Sequence, residues 1–385
     1  MRKEKLRILQ VIPDLKKGGA ERLALDICNE LSKRDAEVAL VNFREDNEYA
    51  FLSSGIRIRR EVIPAKFVPS LTGKPVSDLE SYKKFVEQFK PDIIHSHLFE
   101  AEMVTRQILS PHVLYVTHLH DNMPQFRKFS FETLFSKKLL SNYFEKRLML
   151  SQYRKCNNKF IAISRHTADY FRQSLPKSLQ NITVLNNAID VKRFQKNDSI
   201  KKLSAPYRLV TIGSLVDKKN QIFLVDVMKK LKEAGINIHL DILGDGPNRK
   251  KIQLRIDDCG MNENIAMRGS VDSVEDFLER AHIYVHAAIY EPFGLVLLEA
   301  MAAGLPCVAL DGKGNRDIAE NGKNGFLVET PDPQIFASRI AGLLKDEKLY
   351  HEMAEYSKLF AKKFSIEEYV DRLLLFYESN AAHKS

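Results

Sequence analysis

Short apolar runs alternate along the chain with longer stretches in which apolar residues recur at helical spacing. Such runs, bounded by turn residues, are typical of buried strands, and the periodic stretches are typical of helices. In the first half the pattern predicts strands over 6–13, 37–43, 56–63, 90–97, 113–117, 160–164 and 182–190, helices ending near 34 and 89, and a loop over 69–75. This alternation is typical of a parallel sheet covered on both faces.

The second half repeats the same alternation. It predicts strands over 207–212, 238–243, 265–271, 283–288, 306–310 and 324–328, and helices over 249–259, 274–280, 333–344, 349–364 and 366–377. Ligands of such α/β sheets gather at the carboxyl ends of the strands. Polar residues at those ends are therefore the candidates for function.

The length of the chain favours two domains of nearly equal size. Its 385 residues exceed one comfortable core. The polar stretch 192–206 is predicted to be the linker. We therefore expect one α/β domain over 1–192, a second over 193–365, and a terminal helix within 366–385 that returns to the first domain and ends in a frayed tail from 378.

Composition favours a soluble globular protein, with 44% apolar and 28% charged residues. The chain has no apolar run of about 18 residues, and its first residues lead directly into a strand, so neither a spanning helix nor a signal peptide is expected. The four cysteines are far apart, which favours reduced thiols over a metal site. These features together predict a cytoplasmic protein.

Two carboxylates stand eight positions apart in the most informative stretch. Glu291 precedes a Pro-Phe-Gly turn, and Glu299 lies in an apolar run that is predicted to be a buried helix. A buried ionised Glu299 needs hydrogen bonds, which the hydroxyls of a ligand could supply. The helix opens at Gly294, Leu295 and Val296, where unpaired N–H groups suit a phosphate. The alternative is structural, with Glu291 stabilising the helix start and Glu299 paired with a buried cation.

Three features of the first half also lie where a ligand is expected. Gly18 and Gly19 stand at a strand-to-helix turn, where the backbone can approach a ligand closely, although many such turns are only tight connections. His118 and His120, followed by Asp121, end a predicted strand. A polar cluster at this place favours binding over a purely structural role.

The segment 125–159 is basic and rich in aromatic residues. It carries nine Lys or Arg against two Glu, which accounts for most of the net charge of +9. Phe135, Leu139, Leu140, Tyr143, Phe144 and Leu148 fall at helical spacing. Such a helix could bind an anionic membrane surface or an acidic or lipid-linked acceptor, or it could pack on the core with a solvated face. Nucleic acid is a poor fit because no recognised binding motif accompanies the charge.

The stretch around the two carboxylates resembles the donor-binding segment of the retaining glycosyltransferases of family four. The resemblance rests on Glu291, Pro292, Phe293, Gly294, Glu299, Ala300, Gly304 and Pro306. Residues 18–22 resemble the first glycine loop of that family, and 186–190 resemble its Asn-Gly-Ile-Asp element, with Ala188 in place of the glycine. The resemblance implies the GT-B fold, in which two Rossmann-like domains face a cleft.

The resemblance also implies a role for each of the matching residues. Glu299 would bind the ribose hydroxyls of a nucleotide-sugar donor and Glu291 a hydroxyl of the transferred sugar. Lys219 and the backbone of Phe293, Gly294, Leu295 and Val296 would offset charge on the diphosphate, while Gly213 and Ser214 would border that group and Gly269 the nucleobase. His120, or as second choice His118, would face the donor sugar, and Gly18 and Gly19 would face the cleft.

One position departs from the family pattern. The loop from Gly213 to Asn220 resembles Gly-Arg-Leu-x-x-x-Lys-Asn, but Ser214 stands where the arginine is usual. A charge-assisted hydrogen bond lost here is worth about 1.5–3 kcal/mol. Lys218 or another cation then compensates, or donor binding is weaker.

The resemblance implies transfer of a hexosyl or N-acetylhexosaminyl group from a UDP- or GDP-linked donor, with retention and without a metal or other cofactor. The acceptor would be a saccharide or a lipid-linked saccharide of a cell-surface polysaccharide pathway, with the enzyme in the cytoplasm or peripheral on the inner face of the cell membrane. Two alternatives remain. An inactive GT-B scaffold or partner subunit is favoured by Ser214, and a nucleotide-sugar epimerase could use Glu291 and His120.

Overall fold

A computed structural model of the protein describes residues 5–49, 59–69, 76–127, 135–196 and 200–381. The chain forms two compact units, the first from 1–187 with 366–385 and the second from 188–365. Each unit is built on one parallel sheet with helices around it. The fold is therefore α/β with two Rossmann-like units, as the alternating pattern predicts.

The N-terminal unit contains a seven-stranded sheet in the order β3-β2-β1-β6-β7-β8-β9. Its strands are β1 (Leu6–Ile12), β2 (Ala36–Asn42), β3 (Arg59–Val62), β6 (Ile93–His97), β7 (Leu114–Leu119), β8 (Asn157–Ala162) and β9 (Ile182–Val184). A short antiparallel ribbon, β4 (Lys66–Val68) with β5 (Val76–Asp78), lies outside the sheet. The central strands β1, β6 and β7 are almost entirely buried, which explains their continuous apolar runs.

Six helices of this unit lie in the described part of the chain. They are α1 (Gly19–Leu31), α2 (Glu80–Phe89), α3 (Leu98–Thr105), α4 (Lys137–Tyr153), α5 (Arg165–Ser174) and, from the other end of the chain, α13 (Ile366–Asn380). Helix α13 packs against α1, and an ion pair of 3.0 Å joins Arg34 Nε to Asp371. The C-terminal helix is thus part of the N-terminal unit.

The C-terminal unit contains a six-stranded sheet in the order β12-β11-β10-β13-β14-β15. Its strands are β10 (Tyr207–Ile212), β11 (Ile238–Leu243), β12 (Ile265–Gly269), β13 (Ile283–His286), β14 (Cys307–Leu310) and β15 (Gly325–Val328). Its helices are α6 (Val191–Phe194), α7 (Ile222–Glu233), α8 (Arg249–Asp258), α9 (Glu275–Arg280), α10 (Leu295–Ala302), α11 (Pro333–Lys345) and α12 (Glu347–Lys362). Helices α7 and α11 pack together on the apolar core, and α12 packs against α10.

Several elements differ from the pattern-based prediction. Helices α3, α5, α6 and α7 and the β4–β5 ribbon were not predicted. Helix α3 follows β6 without a connecting loop, and five of its eight residues are buried, so the amphipathic period is lost. Of the predicted strand 56–63, the first three residues lie outside the described part of the chain, as do most of the predicted loop 69–75 and the last four residues of the tail.

The stretch 192–206, predicted to be a linker, packs on the C-terminal unit where it is described. Ile200 and Leu203 are partly buried against the core of that unit, and Lys201 Nζ donates to the Leu278 carbonyl at 2.8 Å. In the described part of the chain, no helix combines the length and the apolar character that crossing a bilayer would need.

Candidate active site

The carboxyl edge of the C-terminal sheet is built from loops packed backbone against backbone. A Cβ atom at Gly244 would lie 2.2 Å from the Gly213 carbonyl oxygen, so only glycine permits this approach of the loops after β10 and β11. Gly269 has φ +73°, and its carbonyl accepts from the Gly244 N–H at 2.7 Å. Gly213 and Gly269 therefore lie together at one edge of the sheet, where a ligand of an α/β sheet is expected.

Glu291 is held at the same edge by the loop that follows β14. Its N–H donates to the Gly312 carbonyl at 2.8 Å, and its carbonyl accepts from the Gly314 N–H at 2.9 Å. A Cβ at Gly314 would lie 1.9 Å from the Pro292 carbonyl oxygen. The glycines on either side of Lys313 thus allow a close backbone contact that fixes Glu291.

The carboxylate of Glu291 is buried and in contact with two basic side chains. Lys219 Nζ forms a short ion pair with Oε2, and His286 Nε2 lies 3.0 Å from the same oxygen. Burial alone would raise the pKa of Glu291, but the hydrogen bond from His286 and the charge of Lys219 outweigh it and lower the pKa to about 2. The carboxylate is consequently ionised throughout the physiological range.

His286 is a residue of this site that sequence reasoning missed. Residues 283–286 form β13, so Tyr284 and His286 project to the same face of the sheet. The Tyr284 hydroxyl lies 3.4 Å from His286 Nδ1, and the opposite nitrogen contacts Glu291. The signal that could have located His286 is the period-two spacing of these polar residues at the end of a strand that leads to Glu291.

Helix α10 begins directly after Glu291 and the Pro-Phe-Gly turn. Gly294 precedes the helix with φ +103° and has no side chain, so in the described structure the N-cap residue leaves the first N–H groups, those of Leu295 and Val296, without a side-chain cap. Phe293 is buried and its ring lies 6.2 Å from that of Phe364. The structure thus places an uncapped helix start beside an ionised carboxylate and Lys219.

Glu299 lies on the predicted helix, α10, but it is half-buried where a buried carboxylate was expected. The reason is that the helix presents this position to the surface while Leu298 and Ala300 on either side face the core. A partly exposed carboxylate suits a group that would bind a ligand hydroxyl.

The loop after β10 brings Lys219 to the site. The side chain of Lys219 runs within 3.9 Å of where a Gly213 Cβ would stand, and Gln221 Nε2 donates to the Ser214 carbonyl at 3.0 Å. Ser214 is exposed. Lys218, a possible substitute for the missing arginine, lies 5.7 Å from the centre of the Tyr290 ring. Lys219 is therefore the cation that this loop presents to Glu291.

The N-terminal unit holds a separate cluster at the carboxyl ends of β6 and β7. Gln10 of β1 is opposite His95 of β6, and His97 of β6 is opposite His118 of β7. Because paired residues of parallel strands project to the same face, the cluster consists of Gln10, His95, His97, His118 and His120. The His118 and His120 rings stack with centroids 4.1 Å apart.

Sequence reasoning identified His118 and His120 but not the two residues that hold them. His97 Nδ1 lies 2.8 Å from His120 Nε2, and His95 Nε2 lies 3.1 Å from His118 Nδ1. Burial lowers the pKa of His120 to about 3 and that of the other three histidines well below the ordinary value. All four imidazoles are consequently neutral near pH 7.

Gly18 lies at the start of α1, as the paired-glycine pattern predicts. The Tyr49 hydroxyl accepts from the Gly18 N–H at 3.0 Å and donates to its carbonyl at 2.9 Å. Gly19 is the first residue of the helix and is exposed. The predicted contact of these glycines with an acceptor stays a prediction.

Two family models match adjoining parts of the chain. The model described as Glycosyltransferase Family 4 matches residues 17–193, and the model described as Glycosyl transferases group 1 matches residues 192–360. The second match contains Lys219, His286, Glu291 and Glu299. The first contains the histidine cluster except Gln10.

Curated relatives match either part or nearly all of the chain. The poly(glycerol-phosphate) alpha-glucosyltransferase of Bacillus subtilis is 30% identical over 44% of this chain, and the match spans only 25% of that enzyme. The UDP-Gal:alpha-D-GlcNAc-diphosphoundecaprenol alpha-1,3-galactosyltransferase of Escherichia coli is 22% identical over 99% of this chain and 98% of its own length.

The fold has close counterparts among solved structures. The Anabaena protein Alr3699/HepE, crystallised with UDP and glucose, superposes with a TM-score of 0.77 at 20% identity, covering 97% of this chain and all of the other. At this identity the likeness concerns the fold, which is the GT-B fold of two Rossmann-like units. With the two family models meeting at residues 192–193, the chain belongs to the group 1 glycosyltransferases of family four.

Proposed function

We propose that the protein transfers a hexosyl or N-acetylhexosaminyl group from a nucleotide-diphosphate sugar, UDP- or GDP-linked, to a saccharide or lipid-linked saccharide acceptor in cell-surface polysaccharide synthesis. The observation that carries the proposal is the buried Lys219–Glu291–His286 contact beside the uncapped start of α10. It brings a cation, helix N–H groups and an ionised hydroxyl acceptor together at one edge of the C-terminal sheet. The lipid-linked acceptor finds support in the name of the relative that matches along the whole chain.

In this proposal each group has a separate task. Glu291 accepts a hydrogen bond from a hydroxyl of the transferred sugar, and Glu299 binds the ribose. Lys219, which contacts Glu291 in the structure, shares its N–H donors between that carboxylate and the diphosphate. The N–H groups of Leu295 and Val296 add donors to the same phosphate. Stabilising the charge that develops on a leaving group is a principal source of rate enhancement.

The proposal includes retention of the anomeric configuration. The electrostatics argue against Glu291 as a general base, because a pKa of about 2 leaves it too weak to take a proton near pH 7. The departing diphosphate oxygen can instead take the proton of the acceptor hydroxyl on the same face of the sugar. The C1–oxygen bond to the diphosphate breaks as the bond to the acceptor oxygen forms. No protein nucleophile and no metal ion take part in this scheme.

A binding screen tests the donor site. Thermal shift of the purified protein with UDP-, GDP-, ADP- and dTDP-sugars should show stabilisation by one nucleotide class, and Glu299→Ala should abolish it. The matched control is Glu355→Ala, an exposed glutamate on α12 of the same unit, which should leave the shift unchanged. Equal shifts in Glu299→Ala and wild type would overturn the ribose assignment.

The exposed Ser214 favours one other function, an inactive scaffold that binds a nucleotide. A nucleotide-induced shift without turnover on any acceptor extract would favour this scaffold. Conversion of the nucleotide sugar without an acceptor would instead indicate an epimerase. Transfer to an acceptor with the anomeric configuration retained, read by proton NMR of the product, is the result that we expect.

A further inference from the structure

The histidine cluster of the N-terminal unit is one continuous hydrogen-bond chain with a glutamine at its centre. Gln10 Oε1 lies 2.8 Å from His97 Nε2, and Gln10 Nε2 lies 3.1 Å from the Tyr377 hydroxyl, which is 2.5 Å from His95 Nδ1. The two arms continue to His120 and His118. Gln10, Tyr377, His95, His97 and His118 are fully buried.

Three of the rings, His95, His97 and His118, place a nitrogen within 4.8 Å of one another, which is a spacing that a metal ion could use. Five of their six ring nitrogens, however, already lie within hydrogen-bond distance of a residue of this chain. A metal would have to break these bonds. The arrangement therefore favours a hydrogen-bond relay over a metal centre.

Each neutral imidazole has one N–H and one lone pair, so each bond in the chain determines the next. The Gln10 carbonyl can only accept, which makes His97 Nε2 the donor and His97 Nδ1 the acceptor. His120 then donates through Nε2, and its Nδ1 carries a lone pair. In the other arm the Gln10 amide donates to Tyr377, Tyr377 donates to His95 Nδ1, and His95 Nε2 donates to His118 Nδ1.

We propose that Gln10 is a positioning residue that fixes the tautomers of all four histidines, so that His120 presents an unprotonated Nδ1 and His118 a protonated Nε2. In the described part of the chain no group pairs with His120 Nδ1, and His118 Nε2 is buried without a hydrogen-bond partner. His120 is thereby prepared to accept a hydrogen bond from a hydroxyl of a ligand. Exchanging the positions of the Gln10 amide oxygen and nitrogen would reverse all four histidine tautomers together. The orientation of this amide therefore determines the tautomers.

The role of His120 toward a sugar hydroxyl rests on the proposed glycosyl transfer, but the tautomers can be measured without activity. Histidine-selective ¹⁵N labelling and long-range ¹H–¹⁵N NMR distinguish protonated from unprotonated ring nitrogens, with assignment by single His→Asn substitutions. We expect the Nε2–H form at all four positions in the wild type. The Nδ1–H form at His97 and His120, or a mixture of tautomers, would overturn the proposal.

Two variants test separately the arm from Gln10 through His97 to His120 and the arm from Gln10 through Tyr377 to His118. Gln10→Leu should replace the single tautomer of His120 with a mixture, while Tyr377→Phe should first affect His95 and His118. The matched control is Tyr369→Phe, because Tyr369 is on the same helix, is equally buried and has a hydroxyl without a hydrogen-bond partner. Tyr369→Phe should leave the ring-nitrogen signals of all four histidines unchanged. Unchanged His120 signals in folded Gln10→Leu would refute the positioning role.

Kinetic measurements then test whether the hydrogen-bond relay affects the proposed glycosyl transfer. Gln10→Leu should lower kcat on the order of 10- to 100-fold, by analogy with the loss when a residue that orients a metal-ligating histidine is replaced. Its nucleotide-induced thermal shift should stay at the wild-type value because the predicted nucleotide site lies in the other unit. A wild-type kcat in Gln10→Leu would show that the tautomer does not matter. If the wild type has no transfer activity, the proposed function fails while the NMR result still decides the relay.

Discussion

Lys219 and Glu291 depend on each other for stability and, in the proposed reaction, act on different parts of the donor. Lys219→Met would leave the buried carboxylate with His286 as its remaining basic partner, and Glu291→Gln would leave the cation without its counter-charge. Each single variant should therefore lose stability. Each should also lower kcat by about 10²- to 10³-fold, which is the loss typical of removing one hydrogen-bond donor to a charge that develops in the transition state. The double variant should recover stability but not activity.

Thermal unfolding and kcat measured on the same four proteins test this separation. Lys229→Met, an exposed lysine on α7, is the matched control and should change neither quantity. A double variant whose destabilisation equals the sum of the two single values would show that the pair is not coupled. Recovered activity in the double variant would remove both residues from the proposed chemistry.

Glu102 is a second buried carboxylate, on the opposite face of the sheet from the histidine cluster. Burial raises its pKa from 4.5 to about 7, although Arg106 and the hydrogen bonds from Tyr153 and Thr117 act in the lowering direction. Between these two values the folded protein keeps a proton that the unfolded chain has lost. The free energy of unfolding should therefore fall as pH rises through this window, by up to ~1.4 kcal/mol per pH unit, and level off above it.

Glu102→Gln should remove this dependence. The measurement is urea-dependent hydrogen exchange of peptides from β6 and α3 between about pH 5 and about pH 8, where the wild type and the variant should differ in slope. Glu87→Gln, at an exposed site on α2, is the control and should follow the wild type. Parallel curves for Glu102→Gln and wild type would contradict a raised pKa.

At the scale of elements, the strands of the C-terminal half could be predicted closely because buried parallel strands are continuous apolar runs between turn residues. The predicted strands 207–212 and 238–243 have the bounds found in the structure. The histidine relay could not be predicted, because Gln10 and Tyr377 stand 367 positions apart and meet only when β1 lies beside β6 and α13 returns to the same unit. The sequence shows which residue types are present, but the hydrogen-bond partner of each residue depends on the order of the strands in the sheet and could not be predicted.

Helix α4 shows that period alone does not decide which face is buried. The first part of its predicted apolar face is exposed, at 77% for Phe135, 40% for Leu140 and 37% for Tyr143, whereas Leu148 packs on the core and the buried residues lie at the end of the helix. Lys137, Lys138 and Arg147 are exposed on the same helix. Apolar and basic groups exposed together are typical of a helix that lies on an anionic membrane. We therefore propose that α4 places the protein at the inner face of the cell membrane.

The membrane proposal predicts two independent losses. Substituting Lys137, Lys138 and Arg147 by Ser should weaken cosedimentation with phosphatidylglycerol vesicles by about 10²-fold at low salt, at ~1 kcal/mol per cation. Substituting Phe135, Leu140 and Tyr143 by Ser should weaken binding even at high salt. Lys146 is left in place because it lies 5.5 Å from the centre of the Phe126 ring and is partly buried.

The control removes the same charge elsewhere. Lys229, Lys250 and Lys348 are exposed lysines of the C-terminal unit, and their substitution by Ser should leave vesicle binding nearly unchanged. A loss equal to that of the α4 variant would mean that total charge, and not this helix, determines binding. Unchanged binding in both α4 variants would refute the membrane proposal.

At the scale of the whole molecule, the core of the N-terminal unit is completed by helix α13, which comes from the other end of the chain. Tyr369, Val370, Leu373 and Tyr377 of α13 are fully buried in the described structure. Each such side chain contributes about 1.5–3 kcal/mol, so together they contribute as much as the ~5–15 kcal/mol net stability of a typical domain. Deleting residues 366–385 should therefore unfold the N-terminal unit. The C-terminal unit has its own core and should stay folded.

Hydrogen exchange by mass spectrometry resolves the two units in one experiment. In the deletion variant, peptides from β1, β6 and β7 should exchange as in an unfolded chain, while those from β10, β11 and β13 keep their protection. Deletion of only the last four residues is the matched control and should change neither set, whereas Tyr377→Phe should lower protection in the N-terminal unit alone. Protected N-terminal peptides after deletion from residue 366 would mean that α1 and the sheet form a stable core without α13, and that the helix serves the relay and not the fold.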